Sequence, residues 1–149
     1  MVRVAGIQDA KVIHKLLMHY AKDGMMLSRS LSDIYEAIRD FFVFEEGGEV
    51  IGTVCLSICW EDLAEVRSLA VAEGRFGGGV GRKLVERCIE EAQRLGVTRV
   101  FALTYKAQFF EKLGFQQIEK SELPQKIWSD CIKCVKFPEC DEIAVIREL

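Results

Sequence analysis

The sequence predicts an α/β (α+β) domain: a mixed, mostly antiparallel central sheet flanked by helices, with one strand–helix–strand crossover. Three observations point to it. Apolar residues alternate along some segments and recur at helical spacing along others, in the order strand, helix, helix, three strands, helix, strand, helix, strands. A glycine-rich loop joins one of those strands to a strongly amphipathic helix. The chain has 149 residues, the size of one domain, and its two prolines and lack of a Ser/Gly/Pro-rich linker leave residues 1–149 undivided.

Met1 to Ala5 alternates Val2 and Val4 and reads as a short strand. Asp9 is placed to cap a helix reaching Ala21, with Val12, Ile13, Leu16, Leu17 and Tyr20 on one face. The segment GMMLSRSL breaks that period. Ser30, with Asp33 three positions on, then opens a second helix whose apolar side is Leu31, Ile34, Ala37, Ile38 and Phe41. Phe42–Phe44, the turn Glu45–Glu46–Gly47–Gly48 and Glu49–Cys59 form a hairpin pattern, and Glu65–Val71 a further strand. The loop Gly74–Gly81 holds five of the twelve glycines. Beyond it Val80, Leu84, Val85, Cys88, Ile89, Ala92 and Leu95 share one helix face, which Gly96 ends. Val97–Leu103 reads as a buried strand, Gln108–Leu113 as a short helix stopped by Gly114, and Phe115–Ile118 as a strand. Ser121–Cys140 has weak periodicity, and Glu142–Arg147 reads as a last strand.

Composition narrows the function. With a formal net charge of −3 there is no excess of Lys and Arg to neutralise phosphates along a nucleic acid. No apolar run approaches the roughly 18–20 residues of a membrane span, and the N-terminal residues lack the order of a signal peptide. The expectation is a cytoplasmic protein whose six cysteines are reduced thiols or metal ligands. His14 and His19 are five apart and do not share a helix face, so they read as structural or exposed.

The most informative stretch runs from Ser68–Leu69–Ala70–Val71 into Gly74–Arg75–Phe76–Gly77–Gly78–Gly79–Val80–Gly81–Arg82. A glycine loop opening a helix lets an anion approach the main chain, where exposed N–H groups and the helix dipole favour phosphate. No Lys–Ser/Thr follows, which argues against a nucleoside-triphosphatase loop, and the run of antiparallel strands before it fits a dinucleotide fold poorly. The alternative is a turn that is glycine-rich without a ligand.

This loop and the order of elements resemble the GNAT acyltransferases, whose signature Gln/Arg-x-x-Gly-x-Gly/Ala cradles the pyrophosphate of acetyl-CoA. Gly79–Val80–Gly81 fits its end; Phe76 stands at the Gln/Arg position, with Arg75 one place early. The resemblance implies acetyl-CoA as co-substrate. It assigns Leu69, Ala70 and Val71 to the pantetheine arm, and Phe76, Gly77, Gly78, Gly79, Val80, Gly81 and Arg82 to the pyrophosphate, with Arg75 or Arg82 left to supply the missing charge. FFEKLGF (Phe109–Phe115) is similar to the family's helix-to-strand turn, but Phe110 replaces the Tyr that many members use as proton donor to the leaving thiolate. The donor is then another group or water.

A narrower resemblance is carried by LSRSLSDIYEAIRDFFV, AEVRSLAV, RVFALTY, FFEKLGF and LPQKIWSDC, from about Leu27 to the end. Together they are similar to the acetyltransferase domain of N-acetylglutamate synthases, most of all the short stand-alone bacterial type without the arginine-binding amino-acid kinase domain. It implies transfer of acetyl to the α-amino group of L-glutamate, the first step of arginine biosynthesis, by direct attack in a ternary complex. Glu65 falls at the general-base position, Ser68 and Thr104 at small polar positions near the thioester, and Arg29 at a carboxylate-holding position. A second cation is expected from the tail, where Lys126 is the first candidate beside Lys133 and Lys136. The chemistry agrees: the acceptor amine is largely protonated at neutral pH and needs a base, the carbonyl needs donors such as backbone N–H groups of Leu69–Val71, and two carboxylates call for forked cations.

Each residue also has an ordinary reading: Glu65 and Arg29 as surface charge, Ser68 and Thr104 as strand residues, Trp60 and Trp128 as core rather than pocket aromatics. Cys131–x2–Cys134–x5–Cys140 could clamp a soft metal, but no fourth ligand is evident, and packed thiols with no metal are the expectation. Competing functions are a GNAT enzyme acting on another small amine and a non-catalytic acyl-CoA or metal sensor. A homodimer through a sheet edge stays open.

Overall fold

The computed structural model describes residues 1–24, 26, 29–123 and 142–149. Its sheet has seven strands: β1 (Val2–Val4), β2 (Phe41–Glu46), β3 (Glu49–Trp60), β4 (Leu63–Val71), β5 (Arg99–Thr104), β6 (Gln116–Ile118) and β7 (Ile143–Glu148). Their spatial order is β1-β2-β3-β4-β5-β7-β6. All neighbours are antiparallel except β4 and β5, which the crossover helix α3 (Val80–Leu95) makes parallel. This is the mixed, mostly antiparallel sheet that the sequence predicts.

Helices cover both faces. On one, α3 buries Val80, Leu84, Val85, Cys88, Ile89 and Ala92, and α4 (Ala107–Glu111) adds Ala107 and Phe110 against Phe42, Phe44, Val54, Val66 and Val100. On the other, α1 (Ala10–Ala21) and α2 (Leu31–Glu36) lay Ala10, Ile13, Leu17 and Ile34 on Phe41, Val43, Cys55 and Ala70. Successive strand residues point to opposite faces, so the apolar run Phe41–Phe44 is buried on both. Among the described residues, no helix is long and apolar enough to cross a membrane.

Local signals explain most boundaries. Gly47 and Gly48, at φ of 60° and 79°, make the two-residue turn that matches the twist of a hairpin. Ser30 caps α2, its hydroxyl accepting from Asp33 N at 3.0 Å. Four expectations shift. Phe41 begins β2 instead of ending the second helix, because its backbone pairs with Cys55 of β3. Asp9 does not cap α1 through its side chain; it accepts from Gly6 N at 2.7 Å and from Arg3 at 2.7 and 3.0 Å. Leu95 is 49% exposed, since the last turn of α3 runs past the sheet. β5 starts at Arg99 because Val97 still closes α3, donating to Ala92 O at 2.9 Å.

Two irregularities in β4 prepare a site. Thr53 pairs with Ala70 but Cys55 pairs with Arg67, so β4 carries one extra residue. Ser68 takes up the bulge at φ 56°. The ladder to β5 runs from Leu63↔Arg99 to Glu65↔Phe101, although β4 continues to Val71 and β5 to Thr104. Beyond Glu65 the two strands no longer pair with each other, and a wedge opens between them.

Candidate active site

The main chain of β4 lines one side of that wedge. An extended ligand arm can add to such a backbone edge as a strand would. Tyr20 of α1 donates its hydroxyl to the Val71 carbonyl and ties the end of the strand to the helix behind it. Leu69 packs toward the α3 side and Ala70 toward α1, with Ser68 at the turn between the two phases.

From Val71 the chain runs through the glycine loop into α3. Gly79 is the residue before the helix and sits at φ 79°, a conformation costly for any residue with a Cβ. Because a glycine brings no capping side chain, the first-turn N–H groups of α3 are left without one. Gly81 answers a different need: a Cβ there would stand 3.3 Å from the Phe109 ring of α4. The first turn of α3 is thus packed closely between Val71 of β4 and Phe109 of α4, while Gly74 and Gly77 of the loop face open space. These features fit the phosphates of a nucleotide-linked thioester.

The loop's cations are engaged elsewhere. Arg75 reaches back to the hairpin, 3.3 Å from Glu46 and 3.8 Å from Glu49. Arg82 pairs with Glu86 one turn on, at 3.4 Å. Phe76 is 58% exposed, and Lys106 of the β5–α4 connection holds its Nζ 5.8 Å from the Phe76 ring centroid. Lys106 had no signal in the sequence, because its position beside the loop depends on how β5 lies against α3.

The α1/α2 side of β3 and β4 gathers a second set of groups. Cys55 lies opposite Arg67, and Ser57 opposite Glu65, so Arg67 and Glu65 share that face. Glu65 is buried, with Arg67 Nη1 3.9 Å from its Oε1. Arg29, just before α2, puts Nη1 3.6 Å from Cys55 Sγ and its guanidinium 5.1 Å from the Phe41 ring centroid. Burial pushes the Cys55 thiol up, while Arg29 and Arg67 favour its thiolate and Asp40 opposes them. Cys55 thus marks the point around which Arg29, Arg67 and Asp40 are disposed.

The structure therefore brings Glu65 and Arg29 to one face and adds Arg67, which the sequence analysis missed. Alternation along the strand could have placed Arg67 with Glu65; its place opposite Cys55 needed the β3–β4 register. Thr104 belongs to the opposite face with Val100 and Ala102, and its Oγ1 accepts from Lys106 N at 2.8 Å. Lys126, Lys133, Lys136, Trp128 and the cysteines at 131, 134 and 140 lie outside the described residues. Trp60 ends β3 62% exposed, so it is not core.

Comparison with known proteins bears on this arrangement. The model of the Acetyltransferase (GNAT) family matches residues 13–115. An uncharacterized N-acetyltransferase of Chlorobaculum tepidum is 45% identical over 99% of this chain and 96% of its own. An amino-acid acetyltransferase of Mycobacterium tuberculosis is 34% identical over 87% of this chain and 76% of its own. The crystal structure of N-acetylglutamate synthase from Neisseria gonorrhoeae, complexed with coenzyme A and N-acetyl-glutamate, superimposes with a TM-score of 0.91 at 27% identity. That match covers all of this chain and 35% of the larger protein.

Proposed function

The chain belongs to the GNAT acetyltransferase family and is an acetyl-CoA-dependent N-acetyltransferase; on that premise we propose that its acceptor is the α-amino group of L-glutamate. The observation that carries this reading is the buried Glu65 on one sheet face with Arg29 and Arg67, beside the point where β4 and β5 part.

The co-substrate, when bound, supplies an acetyl group activated as a thioester. The rest is the work of the chain. Leu69, Ala70 and Val71 would offer main-chain groups to the extended arm, including N–H donors for the carbonyl whose oxygen gains charge. Gly77, Gly78, Gly79, Val80 and Gly81 would hold the pyrophosphate through main-chain N–H groups at the α3 N-terminus, and Arg82 would have to turn from Glu86 to add its charge. Phe76, which stands where the family signature has a polar side chain, adds an exposed ring at the same lip. Glu65 takes the proton of the acceptor ammonium, directly or through one water, so that the free amine attacks the thioester carbon; the carbon–sulfur bond then breaks, and the leaving coenzyme A thiolate takes up the second proton of that nitrogen through water. Ser68 and Thr104 put a hydroxyl on each strand of the wedge. Arg29 holds one carboxylate of the acceptor with a charge-assisted hydrogen bond. Direct attack needs no nucleophilic side chain, which agrees with Cys55 being a buried thiol of raised pKa rather than a thiolate.

The test is release of free coenzyme A with a panel of acceptors: L-glutamate, L-glutamine, L-aspartate, other amino acids and a polyamine. The reading requires the highest kcat/KM for L-glutamate. A clear preference for a neutral amino acid or a polyamine overturns it while leaving the co-substrate and the fold untouched.

A further inference from the structure

We propose that Lys106 supplies the positive charge for the pyrophosphate of bound acetyl-CoA, and that the Phe76 ring presents its ammonium to the glycine loop. This rests on acetyl-CoA as co-substrate and is independent of which amine accepts the acetyl group.

The pyrophosphate of the co-substrate is anionic, and the glycines of the loop offer it main-chain N–H groups but no cation. The cationic side chains of the loop and of the first turn of α3 point elsewhere. Arg75 turns to the β2–β3 hairpin, 3.3 Å from Glu46 and 3.8 Å from Glu49. Arg82 turns along the helix to Glu86 at 3.4 Å. Lys83 lies over Phe44 of β2, 5.8 Å from the ring centroid. Lys106 is different. It is exposed, its ammonium makes no ion pair among the described residues, and it stands 5.8 Å from the ring centroid of Phe76 within the loop.

Two further contacts fix Lys106 at this place. Its main-chain N–H donates to Thr104 Oγ1 at 2.8 Å, which closes the turn from β5 into α4. Its carbonyl accepts from Phe109 N at 3.1 Å, and the Phe109 ring lies so close to Gly81 that a Cβ there would stand 3.3 Å away. Lys106 is thereby tied, through the first turn of α4, to the first turn of α3, whose N–H groups have no side-chain cap. β5 is the other wall of the wedge, so a pyrophosphate on the loop would have main-chain donors on one side and Lys106 on the other. A phenyl ring has no donor for a phosphate oxygen, but its face attracts an ammonium. At an exposed site that attraction is weak enough to yield to an anion, and the flexible lysine stem lets the three N–H donors turn from ring to phosphate.

The experiment titrates the full chain, without acceptor, with coenzyme A and with dephospho-coenzyme A, which keeps the pyrophosphate and lacks the ribose phosphate. Binding is read by calorimetry. Lys106→Ala should weaken both ligands by about fivefold to tenfold, and by the same factor. Its dissociation constants should also rise less steeply with salt than those of wild type, because one charge has left the site. Lys106→Arg should stay within about twofold of wild type, and neither variant should move the melting temperature. Phe76→Leu, which removes the aromatic face and keeps an apolar side chain, should give a smaller loss with both ligands. A loss confined to coenzyme A puts Lys106 at the ribose phosphate and overturns the inference. So does Lys106→Ala protein that binds both ligands as wild type does. A loss with unchanged salt dependence, or one that arginine does not restore, overturns it as well, since a lost packing contact would do the same. Wild-type protein that binds coenzyme A but prefers another amine overturns the glutamate reading and leaves this inference standing.

Discussion

Two arginine-containing clusters in this protein are built in opposite ways. At the N-terminal corner Arg3 grips Asp9 through both guanidinium nitrogens, at 2.7 and 3.0 Å, and Glu45 at 2.8 Å. Asp9 also accepts from Gly6 N, so the cluster is closed by short, directed bonds. On the candidate acceptor face Arg29 and Arg67 stand 3.6 Å from a thiol and 3.9 Å from a carboxylate. The first joins β1, β2 and the entry to α1; the second lies on the sheet face of Cys55 and Glu65. Short charge-assisted hydrogen bonds to a buried carboxylate make the first place a structural one.

Variants at the two places should separate these roles. The largest effect is expected at Glu65. Glu65→Gln should lower kcat with L-glutamate by about a hundredfold to ten-thousandfold, with little change in melting temperature, when turnover is followed by coenzyme A release. An unchanged kcat removes Glu65 from the reaction. Arg3→Ala should cost about 2 kcal/mol in urea unfolding, since it strips a nearly buried carboxylate of its partner, and leave KM for both substrates as it was. A shift in acceptor KM there would blur the contrast. Arg29→Ala should do the reverse, raising the L-glutamate KM about tenfold with a smaller change in stability from the lost contact with Phe41.

A pH series sharpens the same comparison. The Arg3 hydrogen bonds, opposed by burial and helped by Gly6 N–H, hold the Asp9 carboxyl below its ordinary value. A carboxylate whose pKa is lower folded than unfolded adds stability above the unfolded pKa and loses it as pH falls through the folded one. Wild type should therefore lose stability to acid below about pH 4 more steeply than Asp9→Asn does, measured as the urea midpoint at each pH. The smallest effect is expected in the cradle: Gly81→Ala presses on the Phe109 ring and should raise the acetyl-CoA KM by a few-fold without changing acceptor preference.

Much of the scaffold was legible because its signals are local. The face of α3 follows from spacing alone, and six of the seven residues named on it are buried. Ser30 starts α2 and Gly96 ends α3 through hydrogen bonds and backbone angles within a few residues. Phe41 was misread for the complementary reason: an aromatic residue at the end of a helical pattern also suits a strand, and pairing with Cys55 decided between them. In the site, the glycine loop, Glu65 and Arg29 were within reach of motif and resemblance; Arg67 was within reach only as a residue alternating with Glu65, and Lys106 was not within reach.

The amino-acid sequence by itself determined the elements, the crossover, the glycine loop and the family likeness, since all of these are written in neighbouring residues and their period. Tertiary structure alone decided which charges meet. The extra residue at Ser68 changes the phase of β4, so Glu65 and Arg67 share with Ala70 a face that simple alternation would deny them. The end of the β4–β5 ladder at Glu65 opens the wedge. Both depend on how strands far apart in the chain pair, and pairing energy is a property of two segments together, so neither segment read alone contains it.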